Sequence, residues 1–95
     1  MAFTQPKIVT PYGGAINKTI SVAQISANAV LSTDVSWPGV DQNSIVFVRC
    51  DTLETTFVIE NPCRCTAGTV KLRIANITGG ALTPAASQVF NFIKL

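Results

Sequence analysis

Three cysteines, Cys50, Cys63 and Cys65, have the greatest capacity for chemistry in this chain. Cys63 and Cys65 are separated by one residue and could supply two of the four ligands of a metal site. Closed zinc sites use four Cys or His ligands, however, and the chain contains no histidine. An odd number of cysteines also argues against a framework of disulfide bonds. The sequence therefore predicts buried or half-buried thiols, with no metal ion and no cofactor.

Catalysis has few other candidate residues. Without histidine the chain lacks the commonest general base and the usual partner of a nucleophilic Ser or Cys. The acidic residues lie mainly at predicted strand ends and loops, and no spacing singles out a pair for glycoside hydrolysis; they are Asp34, Asp41, Asp51, Glu54 and Glu60. We therefore predict no catalytic residues and no enzymatic activity. A small enzyme or redox module that uses a cysteine stays as the alternative.

The composition favours a chain that binds other proteins. Charged residues make up 13% of it and apolar residues 47%, with a mean hydropathy of +0.38. Low charge is typical of the centres of protein interfaces, although a monomer with a neutral Ser/Thr/Asn surface fits as well. The basic residues are scattered, which argues against nucleic-acid binding. No apolar stretch is long enough for a membrane span, and the N-terminus lacks signal-peptide features, so we expect synthesis in a cytoplasm.

Period-two alternation indicates an all-β fold. Thr69 to Asn76 alternates cleanly, with Val70, Leu72 and Ile74 predicted to face inward. Five further segments read as strands, at residues 18–25, 31–37, 45–50, 56–60 and 89–95. Six or seven short strands at this spacing predict one small β-sandwich or jelly-roll-like domain over residues 18–95, without fixing its topology.

Residues 1–17 are predicted to form an extended N-terminal arm, because they combine Pro6, Pro11 and two glycines. The segment also carries apolar side chains that need a surface to lie on, so we expect docking on a neighbouring subunit; they are Phe3, Ile8, Val9 and Tyr12. The alternative is an edge strand that packs on its own domain.

The last predicted strand is apolar on both faces, which is unusual for a strand with one wetted face. Its residues Phe90 and Phe92 are candidate interface residues, with the sandwich core on one face and a partner on the other. A central strand under a loop would give the same pattern. Trp37, before Pro38, is either an interface anchor or a core residue that plugs the end of a strand.

Two stretches resemble a small β-domain of structural proteins from tailed bacteriophages. They are residues 25–35 (ISANAVLSTDV) and 68–85 (GTVKLRIANITGGALTPA), followed by the strand 89–93. The shared pattern is an alternating strand, Asn-x-Thr, small residues, Pro-Ala and a short closing strand, and it extends over about residues 18–95. Residues 61–65 (NPCRC) depart from the pattern, which leaves the function of this middle loop unassigned.

This resemblance implies a capsid decoration (cement) protein on the virion surface. Such a protein would bind the major capsid protein between capsomers, form a homotrimer and stabilise the expanded head. A head-fibre or tail-fibre tip that binds a host receptor is the alternative. The resemblance transfers no catalytic residues.

Overall fold

The structure, a computed structural model, describes residues 14–95. It confirms the predicted all-β fold, with two antiparallel sheets packed as a β-sandwich. The seven strands are β1 (Gly14–Ile20), β2 (Val30–Ser36), β3 (Val46–Arg49), β4 (Phe57–Ile59), β5 (Arg64–Thr66), β6 (Thr69–Asn76) and β7 (Gln88–Lys94). Strand β6 has the bounds that its alternation predicted.

Each sheet is built around one long central strand. In the first sheet β7 lies between β1 and β3, in the order β1-β7-β3. In the second sheet β6 pairs with β2 along one side and with both β4 and β5 along the other. Every one of these pairs is antiparallel. The strand with the cleanest alternation, β6, and the strand with two apolar faces, β7, therefore occupy the middle of the two sheets.

The core forms where the inner faces of β6 and β7 meet. Val70, Leu72 and Ile74 point inward from β6, as the alternation predicted, and Phe90 and Phe92 point inward from β7. Successive side chains of a strand point to opposite faces, so all five reach one interior from facing strands. The other buried apolar side chains are Val22, Ile25, Val35, Val40, Val46, Val48, Phe57 and Cys63.

One side of the sandwich is joined by a segment that crosses from the second sheet to the first. The backbone N–H of Cys63 donates to the carbonyl of Val46 over 2.7 Å. The side-chain amide of Asn61 accepts from the Val48 N–H over 2.8 Å and donates to the Val48 carbonyl over 2.9 Å. The Asn61 side chain thus takes the place of a neighbouring strand along the edge of β3.

Replacing Asn61 by Ala is expected to lower the free energy of unfolding by about 1 to 3 kcal/mol, because it leaves both backbone groups of Val48 without their protein partner. Asn61→Asp is the matched comparison, since it keeps the acceptor for the Val48 N–H and loses the donor for the carbonyl. Urea denaturation monitored by Trp37 fluorescence measures both variants. Wild-type stability of both would contradict the role assigned to this amide.

The structure corrects the predicted boundary of the N-terminal arm. Residues 14–17 belong to β1, which pairs with β7 from Gly14 opposite Lys94 onward, so this part of the segment is an edge strand of its own domain. Gly14 has a φ of +128°, a backbone conformation that side-chain-bearing residues rarely adopt. Residues 1–13, which hold the rest of the predicted arm, lie outside the described residues.

Candidate protein-binding surface

The predicted interface residues are dispersed by the fold. Phe90 and Phe92 are fully buried between the two sheets, so neither side chain is accessible to a partner of the folded domain. This placement corrects the prediction that they form an interface, because the strand's apolar inner face belongs to the core. Trp37 is half-buried and packs against the core. The four remaining candidates, Phe3, Ile8, Val9 and Tyr12, lie outside residues 14–95.

The opposite face of β7 carries accessible apolar side chains that continue onto β3. Ile93 pairs in register with Phe47 of β3 on one side and with Ala15 of β1 on the other. Leu95 continues β7 and donates its N–H to the carbonyl of Ile45. The exposed fractions are 48% for Ile45, 42% for Phe47, 42% for Ile93 and 46% for Leu95. We call this solvent-facing side of the first sheet the outer face.

Beyond the apolar patch the outer face is mostly polar and almost free of charge, and it ends at Val89 of β7, which is 46% exposed and pairs in register with Thr19 of β1. Asn91 of β7 pairs in register with Asn17 of β1 and with Arg49 of β3. Arg49 is the one charged side chain that β1, β3 and β7 place on the outer face. Its Nε lies 3.6 Å from a carboxylate oxygen of Asp51. The outer face therefore offers a contiguous apolar patch beside amide groups, with little charge to desolvate.

The outer surface of the second sheet has the opposite character. Lys71 of β6 lies 2.9 Å from the Asp34 carboxylate of β2. Arg73 of β6 lies 3.0 Å from one Glu60 oxygen, and the Arg64 Nε is 3.7 Å from the other. Five charged side chains thus pair across these strands, which is typical of a sheet surface in water. One apolar row interrupts these charges, with Val30 of β2 and Val58 of β4 exposed on either side of Ala75 of β6. The first sheet presents the surface that is poorer in charge and closer in composition to an interface centre.

A corner beside the apolar patch brings Trp37 close to the start of β1. A Cβ built on Gly14 would lie 3.7 Å from the Trp37 ring, and the ammonium of Lys94 lies 6.0 Å from the ring centroid. The ring therefore closes the end of the sandwich between β1 and β2. Trp37 therefore packs on the core with part of its surface and leaves the other part accessible, while its role as an interface anchor stays a prediction.

The five carboxylates have partners within the chain. In addition to Asp34, Asp51 and Glu60, Glu54 accepts hydrogen bonds from the Gln88 amide and the Ala85 N–H, at 3.0 and 3.1 Å. Asp41 accepts from the Asn43 N–H over 2.8 Å within its own turn. These contacts place the acids in structural ion pairs and turns.

The cysteines lie in packed or partly packed surroundings. Burial, followed by the nearby Cys65 thiol and the Glu60 carboxylate, raises the pKa of the Cys63 thiol from 9.0 to about 11. Burial and then Asp41 also raise the pKa of Cys65. Because the thiolate is the nucleophile and the metal ligand, these shifts lower the reactivity of both residues at neutral pH. Among residues 14–95, no group of three or more His, Cys, Asp or Glu side chains could hold a metal ion.

The raised pKa of Cys63 predicts a loss of stability in alkali. Between pH 9 and 11 the unfolded chain releases the Cys63 proton while the folded chain retains it, so the unfolded state is favoured. The free energy of unfolding should therefore fall by up to about 3 kcal/mol more in the wild type than in Cys63→Ala. Urea titrations at several pH values measure the difference. Cys50→Ala is the control, in which the free energy of unfolding should fall with pH as it does in the wild type. Parallel pH profiles for wild type and Cys63→Ala would exclude the effect.

Sequence reasoning missed two members of the apolar patch, Ile45 and Phe47. Their alternation with Val46 and Val48 was visible as a strongly apolar strand, but nothing local showed which pair faces inward. Ile93 and Leu95 are two residues apart and share the exposed face of their strand, as period-two alternation predicts. The register of β3 with β7 then joins the two pairs into one surface.

The described residues contain no helix with the length and apolarity needed to cross a membrane. Comparison of the chain with protein-family models, with curated proteins and with solved structures gives no significant match.

Proposed function

We propose that this chain is a capsid decoration (cement) protein of a bacteriophage, which binds between capsomers and stabilises the expanded head. The observation that carries the proposal is the outer face of the first sheet, where large apolar side chains lie exposed with almost no charge around them. A patch of this kind indicates a surface that a protein partner covers. The phage assignment rests on the resemblance of residues 25–35, 68–85 and 89–93.

The mechanism that follows is mechanical. A decoration protein acts through many equivalent weak contacts, which together stabilise the shell by linked binding. The sandwich supplies a rigid body, since its two central strands share one core. The apolar patch, together with residues 1–13 and their four large apolar side chains, supplies the material for contacts with the coat protein and with other copies.

The first test is the copy number of the chain in purified particles of the virus whose genome encodes it, by quantitative mass spectrometry against the major coat protein. A simple fraction of the coat protein's copy number is the expected result. A handful of copies would instead favour a fibre or tail tip. Absence from the particles would remove the structural-protein proposal itself.

Deleting residues 2–13 is expected to weaken binding to expanded shells by at least about tenfold, because it removes Phe3, Ile8, Val9 and Tyr12. The deletion stops before Gly14, where β1 begins, so the sandwich should stay folded. Co-sedimentation with shells measures binding, and thermal melting of the free protein controls for folding. Unchanged binding of a folded deletion variant would exclude an attachment role for the segment.

A further inference from the structure

We propose that the outer face of the first sheet is covered by the same face of a second copy of this chain, stacked about a two-fold axis. The inference deepens the proposed function, and it rests on that proposal only in taking the chain to bind protein surfaces. It names the partner of one surface and the symmetry of the contact. In such an isologous contact both copies use the same surface patch, so every contact between two different residues occurs twice.

The charges of the outer face permit stacking of two identical copies. Arg49 has Asp51 of its own chain 3.6 Å away, so two copies bring no unmatched cation together. Asn17 and Asn91 carry amides, which both donate and accept hydrogen bonds and can therefore pair with copies of themselves. The outer surface of the second sheet would instead have to remove five charged side chains of each copy from water.

The size of the face agrees with a modest, reversible pair. Three strands about 4.8 Å apart, two of seven residues and one of four, make a face of at most roughly 14 by 23 Å. Over both copies this is roughly 650 Å² of flat area, and the relief of the side chains brings the accessible area removed from water to the order of 1,000 Å² at most, near the lower limit for a specific interface. The apolar patch at one end supplies the centre of the contact, since Ile93 and Phe47 lie side by side there. We therefore expect weak, reversible association that depends on protein concentration.

The rival occupant is the segment of residues 1–13, because Ala15, close to its attachment at Gly14, lies in the same row as Ile93 and Phe47. A trimer, which the sequence resemblance implies, is a further rival. It needs a contact between two different surfaces of neighbouring copies rather than this face with itself. The molecular mass of the protein in solution distinguishes a trimer from the two-fold dimer. The effect of deleting residues 2–13 distinguishes a patch covered by that segment from one covered by a second copy.

The experiment is sedimentation equilibrium of the full chain, under reducing conditions, over about three decades of concentration. Ile93→Lys places a charge in the patch, and Val58→Lys is the matched control. Val58 is 49% exposed on the other sheet, against 42% for Ile93, and both are β-branched strand residues. We expect a monomer–dimer equilibrium that Ile93→Lys weakens at least tenfold and Val58→Lys leaves unchanged. Phe47→Thr, a milder change in the patch, gives the same test if Ile93→Lys fails to fold.

Other results would overturn the inference. A wild type that stays monomeric, a trimer, or equal weakening by Val58→Lys would exclude a two-fold contact through this face. Dimerisation that appears only after deletion of residues 2–13 would show that the segment covers the patch. A monomer that still decorates shells would refute this pair and leave the proposed function standing. A dimer that is absent from particles would refute the function and leave the pair.

Discussion

Replacing Phe92 by Ala is expected to lower the free energy of unfolding by about 3 to 5 kcal/mol. Phe92 is fully buried in β7, the central strand of the first sheet, with β1 paired on one side and β3 on the other. The substitution removes its buried ring and leaves a cavity that these paired strands cannot easily fill. A loss of this size is a large share of the total stability of a domain of about this length.

Phe47→Ala is the matched control, since it deletes the same ring from the outer face of the neighbouring strand. Phe47 is half-exposed, so its loss should lower the free energy of unfolding by less than about 1.5 kcal/mol. Urea denaturation of dilute protein measures both variants, at a concentration low enough to keep the chain monomeric. Equal losses, or a larger loss for Phe47, would mean that the inner and outer faces of the first sheet are assigned the wrong way round.

Replacing Asn76 by Asp is expected to be of similar severity, with a loss of about 3 kcal/mol or more. The Asn76 amide is buried at the end of β6 and donates to the carbonyls of Ile25 and Gly80 over 3.0 and 2.8 Å. Its oxygen accepts from both the N–H and the hydroxyl of Thr78, at 2.9 and 2.7 Å. A carboxylate keeps the two acceptor contacts but turns oxygen toward two carbonyls.

Asn28→Asp provides the control for Asn76→Asp, because it makes the same chemical change at an exposed position. Asn28 has a φ of +54°, a conformation that Asn and Asp both tolerate. Its substitution should change the free energy of unfolding by less than about 0.5 kcal/mol. Thermal melts of the two variants at neutral pH measure the contrast. Comparable melting temperatures for both would show that the buried amide does not hold the two loops together.

The Asn76 side chain connects loops that are distant in sequence, which explains its expected effect. Ile25 and Leu82 exchange backbone hydrogen bonds at 2.8 and 3.1 Å, and Asn28 donates its N–H to the Thr78 carbonyl over 3.1 Å. The buried side-chain amide of Asn76 donates to one carbonyl in each of these loops, those of Ile25 and Gly80. The two loops lie within residues 25–35 and 68–85, the stretches that carry the phage resemblance. The residues of these two stretches can therefore reflect packing between loops as readily as binding.

Local alternation was sufficient to predict most strands. Period two in Thr69 to Asn76 gave the bounds of β6 and its inward residues, and it separated Phe90 and Phe92 from Val89 and Ile93 on β7. Such patterns depend only on a strand's own geometry, in which neighbouring side chains point to opposite faces. The sequence by itself therefore determined the all-β class and which side chains of a strand share a face.

Contacts between distant residues decided what the sequence left open. Strand β5 escaped prediction because it is only three residues long, and the segment before it is held to β3 by the Asn61 side chain, which leaves no alternating pattern. Residues 14–17 join β1 because β7 pairs with them, although glycine and proline nearby suggested an arm.

Tertiary packing also decided which side of β7 faces the core. Both of its faces are apolar, so alternation alone could not choose between Phe92 and Ile93 as the buried residue. The packing of β7 against β6 buries the phenylalanines, and the register with β3 places Ile93 beside Phe47 on the accessible side. The sequence determined that this strand has two apolar faces, and only the packing of the two sheets decided which one is left for a partner.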